Sequence, residues 1–479
     1  MSTKIQNSIL TTITGCSELM DFSADDGGNA DAFVLLHGDE FLYVPAFGWL
    51  HWNGRCWERD DAAMTSAIED TLIQRGQEAI RCKQDRVVDV SKRNAYRIQG
   101  MQHILQSRLI ATTDDFDSDP DLLNADNGVI NLRTGELIPH VPSQRFTYAL
   151  AVDYDPTADG SEWEAFIKDA VTPRGEQVDT TLIDFLQQAI GYSLTGRTQE
   201  ERLFYVYGPT RSGKGTFSES LLELIPRPVS MEVDFNTFTA KRDASDQNFD
   251  LADMKPSRLV FASESNKYQS LNPGKIKQLT GGNWISAAFK HKDRFSYRPQ
   301  YTVWLSSNHP VMGDPEDDAL WYRVLVVTFP NSHAGSEDTT LKARLKSPEV
   351  QRGILKWAVE GAIKWYTSGR LQIPERVNLA TKEHRDVLDN IAVWLSEETL
   401  EVSGGFTPSS ALYQSYEKWC KGNGVEPKKQ RELGLSLTKR GYRSGKKYVE
   451  EKKDLLDANA PDSGPFQVRG YFGIGLLDP

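Results

Sequence analysis

Gly208-Pro209-Thr210-Arg211-Ser212-Gly213-Lys214-Gly215-Thr216 stands between a continuous apolar run, Leu203-Phe204-Tyr205-Val206-Tyr207, and a segment in which Phe217, Leu221 and Ile225 recur at helical spacing. The run before it has the aromatic and β-branched character of a strand buried on both faces. The stripe after it marks a helix that starts near Lys214. A strand, a turn with Gly208 and Gly213, and a helix N-terminus aim several backbone N–H groups and a helix dipole at one point. The stretch therefore reads as a phosphate cradle, with glycines that admit the backbone and Lys214 as the mobile charge for β and γ phosphates. The next position, which commonly offers a hydroxyl to magnesium, is Gly215, and Thr216 is the nearest substitute. A Gly-rich loop that merely contains a lysine is the plain alternative, and the flanking strand and helix argue against it.

With 479 residues the chain has room for roughly three domains of about 150 residues each. It is 39% hydrophobic and 25% charged, with a mean hydropathy of −0.50, as in soluble globular proteins. Neither a long apolar span nor a basic start followed by an apolar block is present, so a membrane protein and a secreted one are not expected and the cytoplasm is. Cys16, Cys56, Cys82 and Cys420 lie far apart with no histidine at ligand spacing, which argues against a zinc site or a disulfide framework and for reduced thiols. A net charge of −12 argues against nonspecific adhesion of the whole surface to nucleic acid, so local basic patches must carry any such binding.

From Phe33 to Trp57, alternating apolar and polar residues with an Asn53-Gly54 turn predict a small antiparallel sheet. Trp49, Trp52 and Trp57 could stack bases but read better as its core. Met64, Ile68 and Leu72 mark one helix, and Ile98, Met101, Leu105 and Leu109 another. The five aspartates of 114–121 read as a solvated linker rather than a metal cluster. Asn127-Gly128 and Thr134-Gly135 punctuate short strands, Trp163 to Ile167 looks helical, and Leu182 to Ile190 forms a helix ending at Gly191.

Downstream, Leu259 to Ala262 is a second buried strand that ends in Ser263-Glu264, where a carboxylate can orient the attacking water and help hold magnesium. A third strand, Tyr301 to Ser307, ends in Asn308, whose amide can sense the γ-phosphate. Arg323 opens a fourth, and in a ring of subunits could reach a neighbour's ATP. Between Glu264 and Asn308, two extended segments flank a cationic tip, Lys290-His291-Lys292, suited to backbone phosphates or simply to solvent. Gln351 to Trp365 forms a helix that should pack on the core built from these strands, and Glu375 to Glu401 a helical link. Residues 418 to 447 then hold ten lysines and arginines against two glutamates, and a final strand from Phe466 makes a winged helix compatible, with Lys439, Arg440, Arg443, Lys446 and Lys447 near a DNA groove.

GPTRSGKGTF, RLVFASES, KIKQLTGGNWI, the strand ending in Asn308-His309-Pro310, and ALWYRVLVVTFP resemble in order and spacing the superfamily 3 helicase module of phage, plasmid and poxvirus primase-helicases. The stretches DDGGNADAFVLLHGDEFLYVPAFGWLHWNGRCW and NADNGVINLRTGELIPH resemble that family's helicase-associated region, and RGYFGIGLL its winged-helix wing, so the likeness covers about residues 25 to 478. It implies an α/β fold with an AAA+-like P-loop ATPase core at 196–372. Before the core come an α+β domain at 1–111 and a helicase-associated region at 112–195. After it come a helical linker at 373–406 and a winged-helix domain at 407–479. The implied activity is ATP- and Mg2+-dependent translocation on single-stranded DNA as a homohexameric ring in phage or mobile-element replication. Lys214 would bind phosphate, Glu264 would be the catalytic carboxylate, Asn308 the sensor and Arg323 the arginine finger in trans. Thr216 and Glu264 would serve the metal, and the Lys290 to Lys292 tip would grip one strand. No primase motif accompanies them, so a separate primase is expected. The rival reading is a nucleotide-switched DNA-binding initiator or assembly scaffold, which Gly215 keeps in play.

Overall fold

The computed structural model describes residues 16–239, 249–263, 270–288, 294–449 and 466–477. Its centre is a five-stranded, all-parallel sheet formed by β1 (Leu203–Tyr207), β2 (Ser230–Glu232), β3 (Leu259–Ser263), β4 (Thr302–Ser307) and β5 (Val324–Thr328), in the order β5-β1-β4-β3-β2. The apolar runs are continuous because both faces of this sheet are covered. Phe204, Val206, Phe261, Trp304, Leu325 and Val327 point to one side, where helices Thr180–Leu194, Lys214–Leu224 and Pro348–Ser368 pack. Leu203, Tyr205, Val260, Leu305 and Val326 point to the other, against helices Pro273–Thr280 and Asp318–Arg323. From β4 the chain crosses over β1 to β5 at one edge, whereas from β1 it crosses to β2 at the other edge, so the connections leave these two neighbours in opposite directions. The crevice beyond their carboxyl ends is where such sheets bind ligands.

Two expectations shift here. Arg323 does not open a strand but closes the helix Asp318–Arg323, and β5 begins at Val324. The helix Thr180–Leu194 does not stop at Gly191. A Cβ there would come 2.0 Å from the Ala362 nitrogen, so the glycine serves a close helix crossing rather than a cap.

The amino-terminal unit sets helices Asp26–His37, Asp61–Arg81 and Ala95–Arg108 against the sheet Phe41–Val44, Gly48–Trp52 and Trp57–Arg59. Phe33, Phe41, Trp49, Met64, Ile68, Leu72, Met101 and Leu105 form its core, and Trp57 is also buried. Against the expectation of reduced thiols, Cys16 and Cys82 form a disulfide across 66 residues, while Cys56 and Cys420 stay free and buried. The acidic run is not simply a solvated linker. Asp117 accepts from the Thr147 amide at 2.9 Å, and Asp121 binds Arg197, Arg133 and Tyr366, which ties the run to the core. The residues after 122 share one hydrophobic cluster with the sheet's first face.

The expected linker at 373–406 is divided. Helix Glu375–Val387 packs on β5, whereas helix Asn390–Glu398 and strand Thr399–Pro408 join the carboxy-terminal unit. There Ile391 and Trp394 share a core with Leu412, Tyr416, Leu433 and Leu437 of helices Ser409–Gly422 and Gln430–Lys439. Strand Phe466–Leu476 lies between Thr399–Pro408 and Arg443–Val449 in an antiparallel sheet.

Candidate nucleotide site and the basic face beside it

Parallel register brings the carboxyl ends of β1, β3 and β4 to one edge: Tyr207 pairs with Ser307, and Ser306 with Ser263. The loop that follows β1 is shaped by Arg211 at φ 64° and Gly213 at φ 91°, and the Gly213 carbonyl accepts from the Phe217 amide. Gly208 has no freedom to be anything larger, since a Cβ would come 2.0 Å from the Phe329 oxygen. Helix Lys214–Leu224 starts immediately after the loop, so its first amides and its dipole face the cradle.

Lys214 is the centre of this edge. Its Nζ shares three N–H donors among four oxygens within hydrogen-bond distance: those of Gly208 and Pro209, both at 2.8 Å, Ser212 Oγ at 3.1 Å and Asn308 Oδ1 at 2.7 Å. Burial pushes the ammonium down to about 8, which leaves it charged at neutral pH. All four acceptors are neutral oxygens, and a phosphate can replace them without displacing another anion. Asn308 thus meets Lys214 directly, from an adjacent strand and 94 residues further along. Behind it, the Val311 amide donates to His384 Nδ1 at 3.4 Å, and the His384 ring meets Tyr207 edge-on at 4.5 Å. Burial pushes His384 down to about 4, so it acts as a neutral wedge that fixes the segment following Asn308.

Magnesium finds a sparse donor set among the described residues. Thr216 is half-buried at the start of the helix, while Ser218 turns its hydroxyl back to the Lys214 and Gly215 oxygens. A Cβ on Gly215 would meet nothing closer than Glu219 Oε1 at 3.7 Å, so this position has room for a side chain. Glu264, and the tip residues Lys290, His291 and Lys292, lie outside the described residues.

Arg323 sits at the opposite edge of the sheet. Val324 pairs with Leu203 at the amino end of β1, roughly 15 Å along the strand from the loop. Its Nη2 binds Glu201 Oε2 at 2.6 Å and its Nη1 the Ala319 oxygen at 3.0 Å. Next to it, Arg202 stacks 3.8 Å over the exposed Tyr322 ring.

The carboxy-terminal basic patch divides into two sets. Arg443, Lys446 and Lys447 are exposed on the strand Arg443–Val449. Lys439 and Arg440, expected at a DNA groove with them, turn instead toward acids of the unit built on the parallel sheet and of the segment after it. Arg440 Nη2 lies 2.7 Å from both oxygens of Asp389 and 3.3 Å from Glu316, and Lys439 lies 3.7 Å from Glu316.

Comparison with known proteins fits this arrangement. Residues 30–172 match the family described as D5 N terminal like. Residues 206–323, from the end of β1 to Arg323, match a family of unknown function, DUF5906. A curated protein of Acanthamoeba polyphaga mimivirus that carries a helicase name is 24% identical over 324 residues, covering 63% of this chain and 33% of that protein. One of African swine fever virus that carries a primase name is 21% identical over 216 residues, covering 43% and 22%. The chain is similar to viral proteins named for helicase and primase. It spans a third or less of the length of these relatives. Among solved structures, an apo structure of the NrS-1 C terminal region has a TM-score of 0.51 at 11% identity, covering 94% of this chain and 99% of that one, a likeness of fold. No helix among the described residues is long and apolar enough to cross a membrane.

Sequence reading missed His384, Glu201, Asp314 and Glu316. A lone histidine on a helix and a short acidic run do not show locally what they bind, because their partners lie far along the chain.

Proposed function

We propose that this chain is an ATP-dependent DNA helicase of the superfamily 3 type, acting on single-stranded DNA as a homohexameric ring in phage or mobile-element replication, alongside a separate primase. The observation that carries the reading is the meeting of Lys214 and Asn308 at the carboxyl edge of the sheet, in a loop whose backbone is spread for phosphate. The viral relatives of helicase and primase name support it.

In this reading Lys214 leaves its four oxygens to bind the β and γ phosphates, and Asn308, released from the ammonium, reports the γ-phosphate to the segment that follows it. Bound magnesium would supply charge neutralisation of the phosphates, with Thr216 and Glu264 as the residues of this chain that would hold it. Glu264 orients the attacking water. Arg323, which its own fold keeps away from its own loop, serves the loop of a neighbour after parting from Glu201. The Lys290 to Lys292 tip grips the strand, and the exposed Arg443, Lys446 and Lys447 of a winged-helix-like domain contact duplex or origin DNA.

The test is unwinding of a forked duplex with ATP and Mg2+, together with the mass of the assembled particle. Wild-type chain should separate strands as a ring, and Lys214→Ala should lose both hydrolysis and unwinding. A monomer that hydrolyses ATP without strand separation would favour the nucleotide-switched initiator or scaffold, the reading to which Gly215 lends weight.

A further inference from the structure

The segment between Asn308 and Arg323 carries Asp314, Glu316, Asp317 and Asp318, and three cations of the carboxy-terminal unit converge on its first half. Lys428 Nζ binds Asp314 Oδ1 at 3.1 Å, Lys439 lies 3.7 Å from Glu316, and Arg440 spans Glu316 and Asp389. The Ser436 hydroxyl also donates to Glu316. The Glu316, Arg440 and Asp389 side chains are only 15%, 24% and 20% exposed, so these charges are partly sheltered from salt. On the other side of the segment, Lys277 faces Asp317 at 3.6 Å and Arg385 binds Asp318 at 2.5 Å.

Resting on the ATP and DNA reading above, we propose that Lys428, Lys439 and Arg440 form a surface for the phosphate backbone of single-stranded DNA, which Asp314, Glu316 and Asp389 occupy in the free protein. Carboxylates are the protein's own stand-ins for phosphate oxygens: both accept charge-assisted bonds from lysine and the arginine fork. Ion pairs with exposed members are individually weak, whereas a polyanion that contacts several cations also releases its counterions. A single strand therefore displaces the acids. The displaced segment has Asn308 at one end and Arg323 at the other, so its release loosens both at once.

The test measures affinity for a single-stranded oligonucleotide across a salt series, and ATP turnover without DNA, on the full chain. Asp314→Asn with Glu316→Gln neutralises the acids; Lys428→Ala with Lys439→Ala removes two of the cations. Both pairs should raise DNA-free turnover. Their effects on DNA affinity should have opposite signs: several-fold tighter for the acid pair, with a salt slope steeper by about 0.7 per cation freed, and several-fold weaker for the cation pair. Glu58→Gln with Glu349→Gln, exposed acids of other elements, changes the net charge by the same amount as the acid pair and should leave affinity near wild type; equal tightening by that control pair would make the effect one of net charge and overturn the proposal. Unchanged or weaker binding by the acid pair, with a wild-type melting temperature, overturns the proposal while leaving the helicase reading intact. A wild-type chain that binds no single-stranded DNA overturns both.

Discussion

The two edges of the core sheet hold their key cations in different company. At the carboxyl edge, Lys214 is surrounded by two carbonyls, a hydroxyl and an amide oxygen, all neutral. At the amino edge, Arg323 is bound to the carboxylate of Glu201 at 2.6 Å. The first arrangement keeps a charge ready for exchange, because an incoming phosphate replaces weaker acceptors. The second keeps a charge in store, because an ionic partner must be parted before the guanidinium can serve elsewhere.

The largest effect expected from this contrast is at the stored charge. Arg323→Ala should bind ATP and lose about 10³-fold in turnover, with partial rescue on mixing with Lys214→Ala chains. Rescue absent in mixed particles, measured by ATP turnover, would count against action in trans. At the exchanging edge, Asn308→Ala should lower turnover by about 10²-fold while nucleotide affinity changes little, if its amide acts mainly on the reacting phosphate. An affinity loss of the same size would make it a ground-state binding group instead.

The protonation of Lys214 offers a third test. Its pKa is lowered from 10.5 to about 8 in the folded chain, and phosphate selects the charged form. ATP affinity should therefore be flat below about pH 8 and fall by up to about tenfold per pH unit above it. A flat profile to pH 9.5 or so would mean that the lysine is held charged by its oxygens. The smallest effect is expected from Gly215→Ser. The open space at this position admits the side chain, so the variant should gain about 0.5 kcal/mol of helix stability in thermal unfolding and need less magnesium for half-maximal turnover. A higher magnesium requirement would place the ion away from this helix start.

What could be read from the sequence was local. The loop from Gly208 to Thr216, the buried strand before it and the strand ending at Asn308 all signal within about ten residues, through periodicity and turn chemistry. The three-residue strand Ser230–Glu232 and the six-residue helix that ends at Arg323 were too short to leave a period. Gly191 looked like a stop because its reason lies on another helix, at Ala362. The Arg323 to Glu201 pair spans 122 residues and the Cys16 to Cys82 bond 66, and no window along the chain contains both partners. Lys439 and Arg440 were recognised as basic, but their acids at Glu316 and Asp389 belong to other parts of the fold.

The parallel course of β1 and β5 has a last consequence. With Val324 beside Leu203 and Thr328 beside Tyr207, loop motion alone cannot carry Arg323 to the Gly208 to Thr216 loop of its own molecule without dismantling the sheet. If that arginine completes the reaction, hydrolysis per chain depends on how many copies are present. Dilution alone then becomes a brake: the protein idles while scarce and starts to consume fuel once enough of it has accumulated to close a circle.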